Sequence, residues 1–310
     1  MELRWGLAGI PDHEAVQNVG GRLGAARGPS AFRPIFLKMK GRDSVLETMT
    51  DFGDVTGITG QIEQNHQKAA EKVAEIHRDR AFSVIIGGSH DHGFSHLKGI
   101  REALQMQVHA KGKTTPRLGC INIDAHLDVR KADPAAGIKI TSGSPFYLAI
   151  ESGVLHARGL VEFGIQNHCN ALELWQYVES KKVEVVPFEK LREGKAIAAF
   201  SKSLKRLVQS CDAIAISLDL DAAAQAFAPG VSAPQAEGFT SSEIIQMVEI
   251  AGREKKVVSL GIFELNPEHD IDGRTARLAA TSAYHFVAEA LRARTAAKRT
   301  SGVRILSRSK

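Results

Sequence analysis

Short apolar runs alternate with longer helix-favouring stretches along nearly the whole chain. Strands that are buried on both faces of a sheet are apolar almost throughout, whereas half-exposed strands alternate between apolar and polar residues. The runs in this chain are of the first kind. They predict seven strands, at residues 5–10, 81–88, 117–124, 159–165, 182–188, 212–220 and 256–265.

The stretches between these runs have the periodicity or the residue propensities of α-helices. One of them is preceded by TSSE, residues 240–243, which is the pattern of a capping box at the start of a helix. Buried strands separated by helices are typical of a mostly parallel sheet that helices cover on both faces. We therefore expect an α/β fold. Helices are predicted at residues 61–79, 170–181, 196–210, 241–255 and 275–293.

Nothing in the sequence divides the chain into several domains. No internal repeat, low-complexity insert or linker rich in Pro and Gly interrupts the alternation, so we expect one domain, residues 1–290, and a basic tail, residues 291–310. The tail holds seven Lys or Arg and no acid, which exceeds the +5 formal charge of the whole chain and leaves the remainder slightly acidic. No aromatic residue interleaves with these cations, which favours a solvated tail or a subunit contact over nucleic-acid binding.

Composition and cysteine usage favour a cytoplasmic protein. The chain is 43% hydrophobic and 24% charged, which is ordinary for a globular protein. Its first residues lack the apolar core of a secretory signal, and no run approaches the ~18 apolar residues that a membrane span needs. Three widely spaced cysteines, Cys120, Cys169 and Cys211, are an odd number and suit reduced thiols.

Polar clusters follow four of the predicted strands, at the point where each strand ends. In a parallel sheet these carboxyl ends share one edge, and ligands bind outside that edge. Four separate strands would thus deliver carboxylates or imidazoles to one place, which is a stronger signal than any single motif. The clusters are GGSHDHG at 87–93, DAHLD at 124–128, LDLDAAAQAFAPG at 218–230 and ELNPEHDIDG at 264–273.

Three ligand-type side chains, Asp124, His126 and Asp128, alternate at the end of one predicted strand. Residues two apart in a strand point to the same face, and desolvating such a group is costly unless a cation lies between its members. Oxygen and nitrogen ligands without thiolate suit Mn²⁺ and, less specifically, Mg²⁺, Fe²⁺, Co²⁺ or Zn²⁺. The candidate ligands are one histidine of GGSHDH together with Asp124, His126, Asp128, Asp219 and Asp221.

Six ligands exceed the three that a catalytic Zn²⁺ usually has. They suffice for two ions if one carboxylate from each Asp-rich motif bridges. Two ions about 3.5–4 Å apart lower the pKa of a shared water until hydroxide exists at neutral pH. The expected chemistry is therefore attack by hydroxide on an electrophilic carbon or phosphorus.

Each of these residues, taken alone, also has a plainer explanation. A single Asp at the end of a strand, such as Asp219 or Asp221, is most often a cap or a turn residue. A single His is more often a surface or core residue than a ligand, so His92, His96 and His168 are second choices. The metal interpretation depends on the six residues acting together.

Three motifs, GGSH, DAHLD and SLDLDAAAQAFAPGVSAP, resemble the metal-binding signatures of the ureohydrolases, the family of arginase, agmatinase and formimidoylglutamase. The resemblance runs from about residue 20 to about residue 280. It implies an arginase-like, three-layer α/β/α fold around a parallel sheet, formed by a single catalytic domain. It also implies two Mn²⁺ per subunit, a small-molecule substrate and assembly into a homo-oligomer.

The resemblance further implies roles for individual residues. Asp128 would carry a proton to the leaving nitrogen, and Glu264 would accept hydrogen bonds from the terminal NH₂ groups of the substrate, although Glu264 has the alternative of capping the next helix. Asp124 and Asp219 would bridge the ions. The first ion would be held by His90, Asp124, Asp128 and Asp219, and the second by Asp124, His126, Asp219 and Asp221.

Local features are similar to the formimidoylglutamase branch. Arg130 lies where arginases carry a neutral Asn, and its guanidinium suits a substrate with two carboxylates; the alternative is a structural ion pair. Phe146 lies where arginases keep a histidine. Ser142, Ser144 and Asn170 are candidates for contacts with the glutamate moiety, and each is alternatively a turn residue.

These features favour hydrolysis of N-formimidoyl-L-glutamate to L-glutamate and formamide. The alternatives are another guanidino substrate (agmatine, arginine or a guanidino acid) and a non-enzymatic metal protein that uses the basic tail as a contact arm. A single-metal deacetylase matches less well because the ligand set is complete for two ions. Ala224 and Gln225 depart from the usual DxDxxDP pattern of the family, which affects the shape of the loop rather than the ligands.

Overall fold

The computed structural model of the protein describes residues 3–109 and 116–306. Eight strands lie within these residues, and every neighbouring pair of them is parallel. They are β1 (Trp5–Ile10), β2 (Met49–Asp54), β3 (Ser83–Gly87), β4 (Leu118–Ile123), β5 (Leu160–Ile165), β6 (Glu184–Pro187), β7 (Ala213–Asp219) and β8 (Val257–Phe263). The strands form one sheet in the order β2-β1-β3-β8-β7-β4-β5-β6.

Helices connect the strands and cover the sheet. They are α1 (Glu14–Gln17), α2 (Gly28–Phe36), α3 (Ile62–Asp79), α4 (His92–His109), α5 (Pro145–Glu151), α6 (Leu172–Lys181), α7 (Ala196–Ser210), α8 (Ser241–Arg253) and α9 (Arg274–Leu306). One hydrophobic core contains side chains of α2, α7, α8 and α9, and a second contains side chains of α3 to α6. Two helical layers therefore enclose the sheet, and the predicted three-layer α/β/α fold is confirmed.

All seven predicted strands are present in the structure, with small shifts at their ends. The strand that the sequence pattern missed is β2, which lies at one edge of the sheet. Its sequence, MTDFGD, is polar, and Asp51, Gly53 and Asp54 are exposed. An edge strand buries too little apolar surface to produce the continuous apolar run on which the prediction relied.

The predicted capping box at the start of α8 is also confirmed. The Thr240 side chain accepts from the backbone N–H of Glu243, and the Glu243 side chain accepts from the backbone N–H of Thr240. None of the described helices combines the length and the hydropathy that crossing a bilayer requires.

The last helix continues across the boundary at which the sequence suggests that a basic tail begins. Leu291 is buried, and the Arg292 guanidinium donates to both carboxylate oxygens of Asp43. The Arg294 guanidinium lies 4.8 Å from the centre of the Phe82 ring. These first residues of the segment pack on the domain, and the division at residues 290 and 291 stays a prediction.

A buried chain of hydroxyls and imidazoles lies between the sheet and the α3–α4 layer. His77 contacts Ser83, Ser83 contacts Ser259, and Ser259 contacts His96, at 3.0, 2.6 and 2.6 Å. Burial lowers the pKa of His77 to about 4 and that of His96, which also lies near His77 and His90, to about 3. Both imidazoles are therefore neutral in the folded protein at neutral pH.

Because His77 and His96 are buried as neutral imidazoles, we expect them to make the folded protein sensitive to acid. The pKa values of the two histidines in the folded state lie below the unfolded value of about 6.5. Their contribution to the free energy of unfolding is therefore complete above pH 6.5 and is lost as the pH falls toward 4. We expect the two histidines to remove about 3 kcal/mol of the free energy of unfolding between pH 6.5 and 5.0. Urea unfolding with a chelator present should show this loss in the wild type and a smaller loss in the H77Q/H96Q variant. Equal losses in both proteins would refute the prediction.

Candidate metal centre

The four central strands of the sheet, β3, β8, β7 and β4, are neighbours, and each ends in a polar segment at the same edge. His90 follows β3, Glu264 follows β8, Asp219 ends β7 and Asp124 follows β4. The parallel arrangement brings these side chains together although the sequence separates them by up to 174 residues. The convergence expected at this edge is therefore present in the structure.

The first cluster of ligand-type side chains is centred on the imidazole of His90. Its Nδ1 lies 3.2 Å from Asp124 Oδ2, 2.9 Å from Asp128 Oδ2 and 3.0 Å from Asp219 Oδ2. All four side chains are buried. The Nε2 of the same ring is 2.8 Å from the Ser217 hydroxyl, which fixes the orientation of the ring.

The second cluster shares Asp124 with the first. His126 Nδ1 lies 3.4 Å from Asp124 Oδ1 and 3.0 Å from Asp221 Oδ2. His126 is the most exposed member, with 19% of its side chain accessible. The structure thus brings together all six predicted ligands, with Asp124 common to both clusters and Asp219 close to His90.

Local backbone geometry holds these carboxylates in place. Asp124 Oδ1 accepts from the His126 N–H at 2.7 Å, and Asp219 Oδ1 accepts from the Asp221 N–H at 2.8 Å. Each Asp-x-His or Asp-x-Asp segment therefore closes its own turn, which leaves Oδ2 directed at His90. Asp128 has φ +48°, a left-handed conformation that non-glycine residues rarely adopt and that is concentrated at functional sites.

Burial and the crowding of like charges raise the pKa of three of the four aspartates, whereas His126 and His90 lower the pKa of Asp124 despite its burial. Burial, together with Asp221 and Asp124, raises the pKa of Asp219 well above its ordinary value. Burial and the neighbouring Asp124 raise the pKa of Asp128, and burial raises the pKa of Asp221 to about 6 against the opposing effect of His126. The four carboxylates can be ionised together only if positive charge lies among them.

The donor atoms meet the requirements of a metal site. His90 Nδ1 is surrounded by three carboxylate oxygens but makes no hydrogen bond with any of them, and the buried Asp221 Oδ1 also has no partner. Buried polar atoms in native proteins are rarely left unbonded. Oxygen and nitrogen donors with a charge of −4 suit two divalent ions of the Mn²⁺ type. The residues present therefore fit a pair of such ions.

Glu264 lies beside these clusters and is also buried. Its carboxylate accepts from the His90 backbone N–H at 2.9 Å and from the Ser232 hydroxyl. Burial raises its pKa to about 7. Glu264 has φ +64°, so the two residues predicted to be catalytic, Asp128 and Glu264, both adopt the left-handed backbone conformation. Glu264 connects the strand β8 edge to the segment that carries His90.

A cavity of about 110 Å³ opens onto both clusters. Arg130 and Ser142 line it, as the sequence analysis expected of substrate contacts. The Arg130 backbone N–H donates to the Gly143 carbonyl at 2.7 Å. A Cβ at Gly143 would lie 3.0 Å from Arg130 Cδ, so the glycine leaves space for the arginine side chain.

Ser144 and Asn170 do not line this cavity. Ser144 is buried, and its hydroxyl bonds to the backbone N–H and hydroxyl of Thr141. The Asn170 side chain accepts from the Leu127 N–H and donates to the carbonyls of Ala125 and Gln166. Asn170 therefore supports the segment from Asp124 to Asp128, and Ser144 supports its own turn, which corresponds to the turn-residue alternative.

The structure also shows site residues that the sequence analysis did not select. Ser232 contacts Glu264, and Ser217 orients His90. Asn122 donates to Asp124 Oδ2 at 3.1 Å and to Glu162 Oε2 at 2.9 Å. Ser217 and Asn122 each lie two residues before an aspartate on the same strand face, so the alternation rule could have found them. Nothing in the sequence indicates Ser232.

The histidines considered as second choices lie outside the two clusters. His96 belongs to the buried hydroxyl chain, and His168 is exposed. His92 lies two residues after His90 but points toward Asp12, with Nε2 3.3 Å from Asp12 Oδ2. His90 is thus the residue of GGSHDH that lies among the aspartates.

The fold and the site define a three-layer α/β protein whose sheet edge carries paired imidazole–carboxylate clusters suited to two divalent metal ions. The arginase family model matches residues 4–288, and the chain belongs to that family. The formimidoylglutamases of Staphylococcus carnosus and Klebsiella pneumoniae are each 31% identical to it, with 91% and 90% of this chain and 85% and 84% of the relative covered. Trypanosoma cruzi formiminoglutamase with Mn²⁺ superposes with a TM-score of 0.82 at 27% identity, over 93% of this chain and 94% of that chain.

Proposed function

We propose that the protein is a manganese-dependent hydrolase that converts N-formimidoyl-L-glutamate and water to L-glutamate and formamide. The observation that carries the proposal is the pair of ligand clusters that share Asp124 and open onto one cavity. The curated relatives named formimidoylglutamase support the substrate. The Mn²⁺ in the T. cruzi formiminoglutamase structure supports the metal.

Six side chains would hold the two ions. Asp124 and Asp219 would be shared, because each lies beside His90 and beside the ligand-type residue two positions further on. A pair of divalent ions supplies a nucleophile at neutral pH by lowering the pKa of a water molecule. The ligands would be His90, Asp124, Asp128 and Asp219 for one ion, and Asp124, His126, Asp219 and Asp221 for the other.

Asp128 would transfer the proton that the leaving nitrogen needs. Its side chain lines the cavity and remains 10% accessible. Burial and the neighbouring Asp124 raise its pKa, which favours a group that can both accept and return a proton.

Glu264 would bind the amidinium end of the substrate. It lines the cavity, and a carboxylate is the acceptor that suits a planar cation with several N–H donors. The His90 N–H and the Ser232 hydroxyl fix the carboxylate in position before substrate arrives. Substrate binding would also lower the raised pKa of Glu264, because a cation favours its ionised form.

Arg130 and Ser142 would bind the glutamate end. Arg130 is exposed at the surface, and both residues line the cavity. Among the described cavity residues Arg130 supplies the guanidinium, which is the group that recognises carboxylates in a bidentate manner. The substrate would thus span the cavity with its cationic end among carboxylates and its anionic end at Arg130.

A substrate panel tests this function. Purified protein reconstituted with Mn²⁺ should release formamide from formiminoglutamate much faster than it releases urea from arginine, agmatine or guanidinobutyrate. Metal-depleted protein is the control. Turnover of one of the guanidino compounds with no formamide release would replace the proposed substrate by that compound. No turnover of any of the four would refute the hydrolase.

Replacing Arg130 tests the contact with the glutamate end. We expect R130N to raise KM for formiminoglutamate by about 10- to 100-fold, because a charged hydrogen-bond donor contributes about 1.5–3 kcal/mol, with little change in kcat. R130K is the matched control and should lie between R130N and the wild type, because it keeps the charge without the bidentate geometry. An unchanged KM in R130N would assign Arg130 a structural role.

Two further expectations complete the proposal. The protein would lie in the cytoplasm, which is supported by three cysteines without disulfide bonds. It would also form a homo-oligomer. Light scattering of the purified protein tests the second expectation, and a mass equal to one chain would contradict it.

A further inference from the structure

A second group of metal-ligating side chains lies outside the candidate centre. It consists of His66 on α3 and of Asp91 and His92 at the start of α4. Their donor atoms all lie within 4.8 Å of one another, and all three residues are buried. Asp12, in the loop after β1, adjoins the group, and we call these four residues the α3–α4 cluster.

Distances in the α3–α4 cluster are those of side chains that face a common point. His66 Nε2 and Asp91 Oδ2 form a hydrogen bond of 2.6 Å, whose proton a metal ion bound to both side chains would replace, and His92 Nε2 lies 3.3 Å from Asp12 Oδ2. The two imidazole rings lie edge to face with their centres 4.9 Å apart. His92 Nδ1 contacts the Ser95 hydroxyl at 3.1 Å, so its Nε2 is the nitrogen left for another ligand.

Two buried atoms in this cluster have no hydrogen-bond partner, namely His92 Nε2 and Asp91 Oδ1. His92 and Asp91 are 0% and 1% exposed. An unbonded polar atom at such depth is destabilising unless another group satisfies it.

The composition of the cluster specifies the missing group. Two carboxylates and two neutral imidazoles carry a charge of −2, which a divalent cation neutralises. Zn²⁺ binds His nitrogens and carboxylate oxygens and is almost always four-coordinate and tetrahedral in structural sites, and this cluster offers four such donors. We propose that the α3–α4 cluster binds a third metal ion, Zn²⁺, separate from the pair at the candidate centre.

The surroundings supply an orienting contact and a route for the ion. Asn65 Nδ2 donates to Asp12 Oδ2 at 3.1 Å, as outer partners of metal-bound carboxylates commonly do. Asp12 and Asn65 line a cavity of about 600 Å³, and none of the six ligand-type residues of the candidate centre lines it. An ion can therefore reach Asp12 without passing the candidate centre.

The third ion would fix the segment that carries His90. The Ser89 N–H donates to the Asp12 carbonyl at 2.8 Å, and Asp91 and His92 directly follow His90. One ion on Asp12, His66 and His92 would therefore join the loop after β1, helix α3 and the start of α4. The site is structural, and no step of the hydrolysis requires it.

Counting zinc ions and locating them tests the proposal. Metal-free wild-type protein is dialysed against Zn²⁺, and bound zinc is measured by mass spectrometry. We expect three ions in the wild type and two in H66Q. H77Q is the matched control because His77 is also buried on α3 but bonds to Ser83, and it should retain three ions. D12N should weaken the third site about tenfold or more.

A zinc-edge anomalous map of wild-type crystals provides the second measurement, which does not depend on how the variants fold. We expect a peak among His66, Asp91 and His92. A wild-type map without density there, or a third ion that survives in folded H66Q, would overturn the proposal. Ions at the candidate centre would give separate peaks beside Asp124. The same map therefore tests the third site and the candidate centre independently.

Discussion

Replacement of the shared carboxylate Asp124 by asparagine should remove both manganese ions, whereas replacement of the unshared Asp221 should remove one. Asp124 contacts both His90 and His126 and belongs to both clusters, whereas Asp221 contacts only His126 of these two histidines. We expect D124N to lose more than about a hundredfold in Mn²⁺ affinity. Replacing a residue that only hydrogen-bonds to a metal ligand already lowers metal affinity about 10–100-fold, and Asp124 is itself a ligand of both ions in this proposal. We expect its kcat to fall at least about 10³-fold.

Metal content and rate have to be measured on the same samples. Mass spectrometry should find about two ions in the wild type, one in D221N and none in D124N, and circular dichroism should show that all three proteins are folded. D133N is a control, because Asp133 caps a turn away from the cavity and its loss should leave two ions. Equal metal loss in D124N and D221N would mean that Asp124 is not shared.

Asp128 is the residue whose replacement separates proton transfer from metal binding. Asparagine keeps one oxygen near His90 but cannot carry a proton at neutral pH. We expect D128N to lower kcat by about 10²- to 10⁴-fold, the usual contribution of a positioned acid or base. The pH dependence of kcat should lose the limb that belongs to this group, while KM changes little.

The comparison that interprets this variant is S142A. Ser142 lines the same cavity but is expected to contact only the glutamate end, so S142A should raise KM and leave kcat near the wild-type value. If D128N kept more than about a tenth of the wild-type kcat, proton transfer would have to be assigned to another group. Glu264, with its raised pKa, would be the next candidate.

Much of the fold can be predicted from the sequence because strands that are buried on both faces consist of continuous apolar residues. Strands β3, β4, β7 and β8 are buried on both faces and read as apolar runs, and their polar carboxyl ends stand out by contrast. The same contrast indicates the five ligand-type residues of the two Asp-rich motifs and one histidine of GGSHDH, and the resemblance to the ureohydrolases selects His90 as that histidine. Position at the end of a central parallel strand is a property that the sequence pattern reports.

Other features depend on contacts between segments that are far apart in the sequence, which no local pattern reports. Ser232 reaches Glu264 across 32 residues, and Glu162 reaches Asn122 across 40. Glu162 lies within β5 and looks like an isolated polar residue in an apolar run. In the structure burial raises its pKa well above the ordinary value, and its carboxyl group accepts a hydrogen bond from Asn122.

The substrate contacts are the part of the site that the sequence predicts least well. Ser142 and Ser144 stand two residues apart, yet one lines the cavity and the other bonds within its own turn. Serine and asparagine have the same preference for turns whether or not a ligand is near. The direction of such side chains is decided by loop geometry, and Asn170 shows the same limit.

The central claim is that two metal ions share the carboxylate of Asp124. Its most direct test is an anomalous map at the manganese edge of crystals grown with Mn²⁺. We expect two peaks about 3.5–4 Å apart, one beside His90 and one beside His126, with Asp124 in contact with both. A single peak, or two peaks that share no carboxylate, would contradict it.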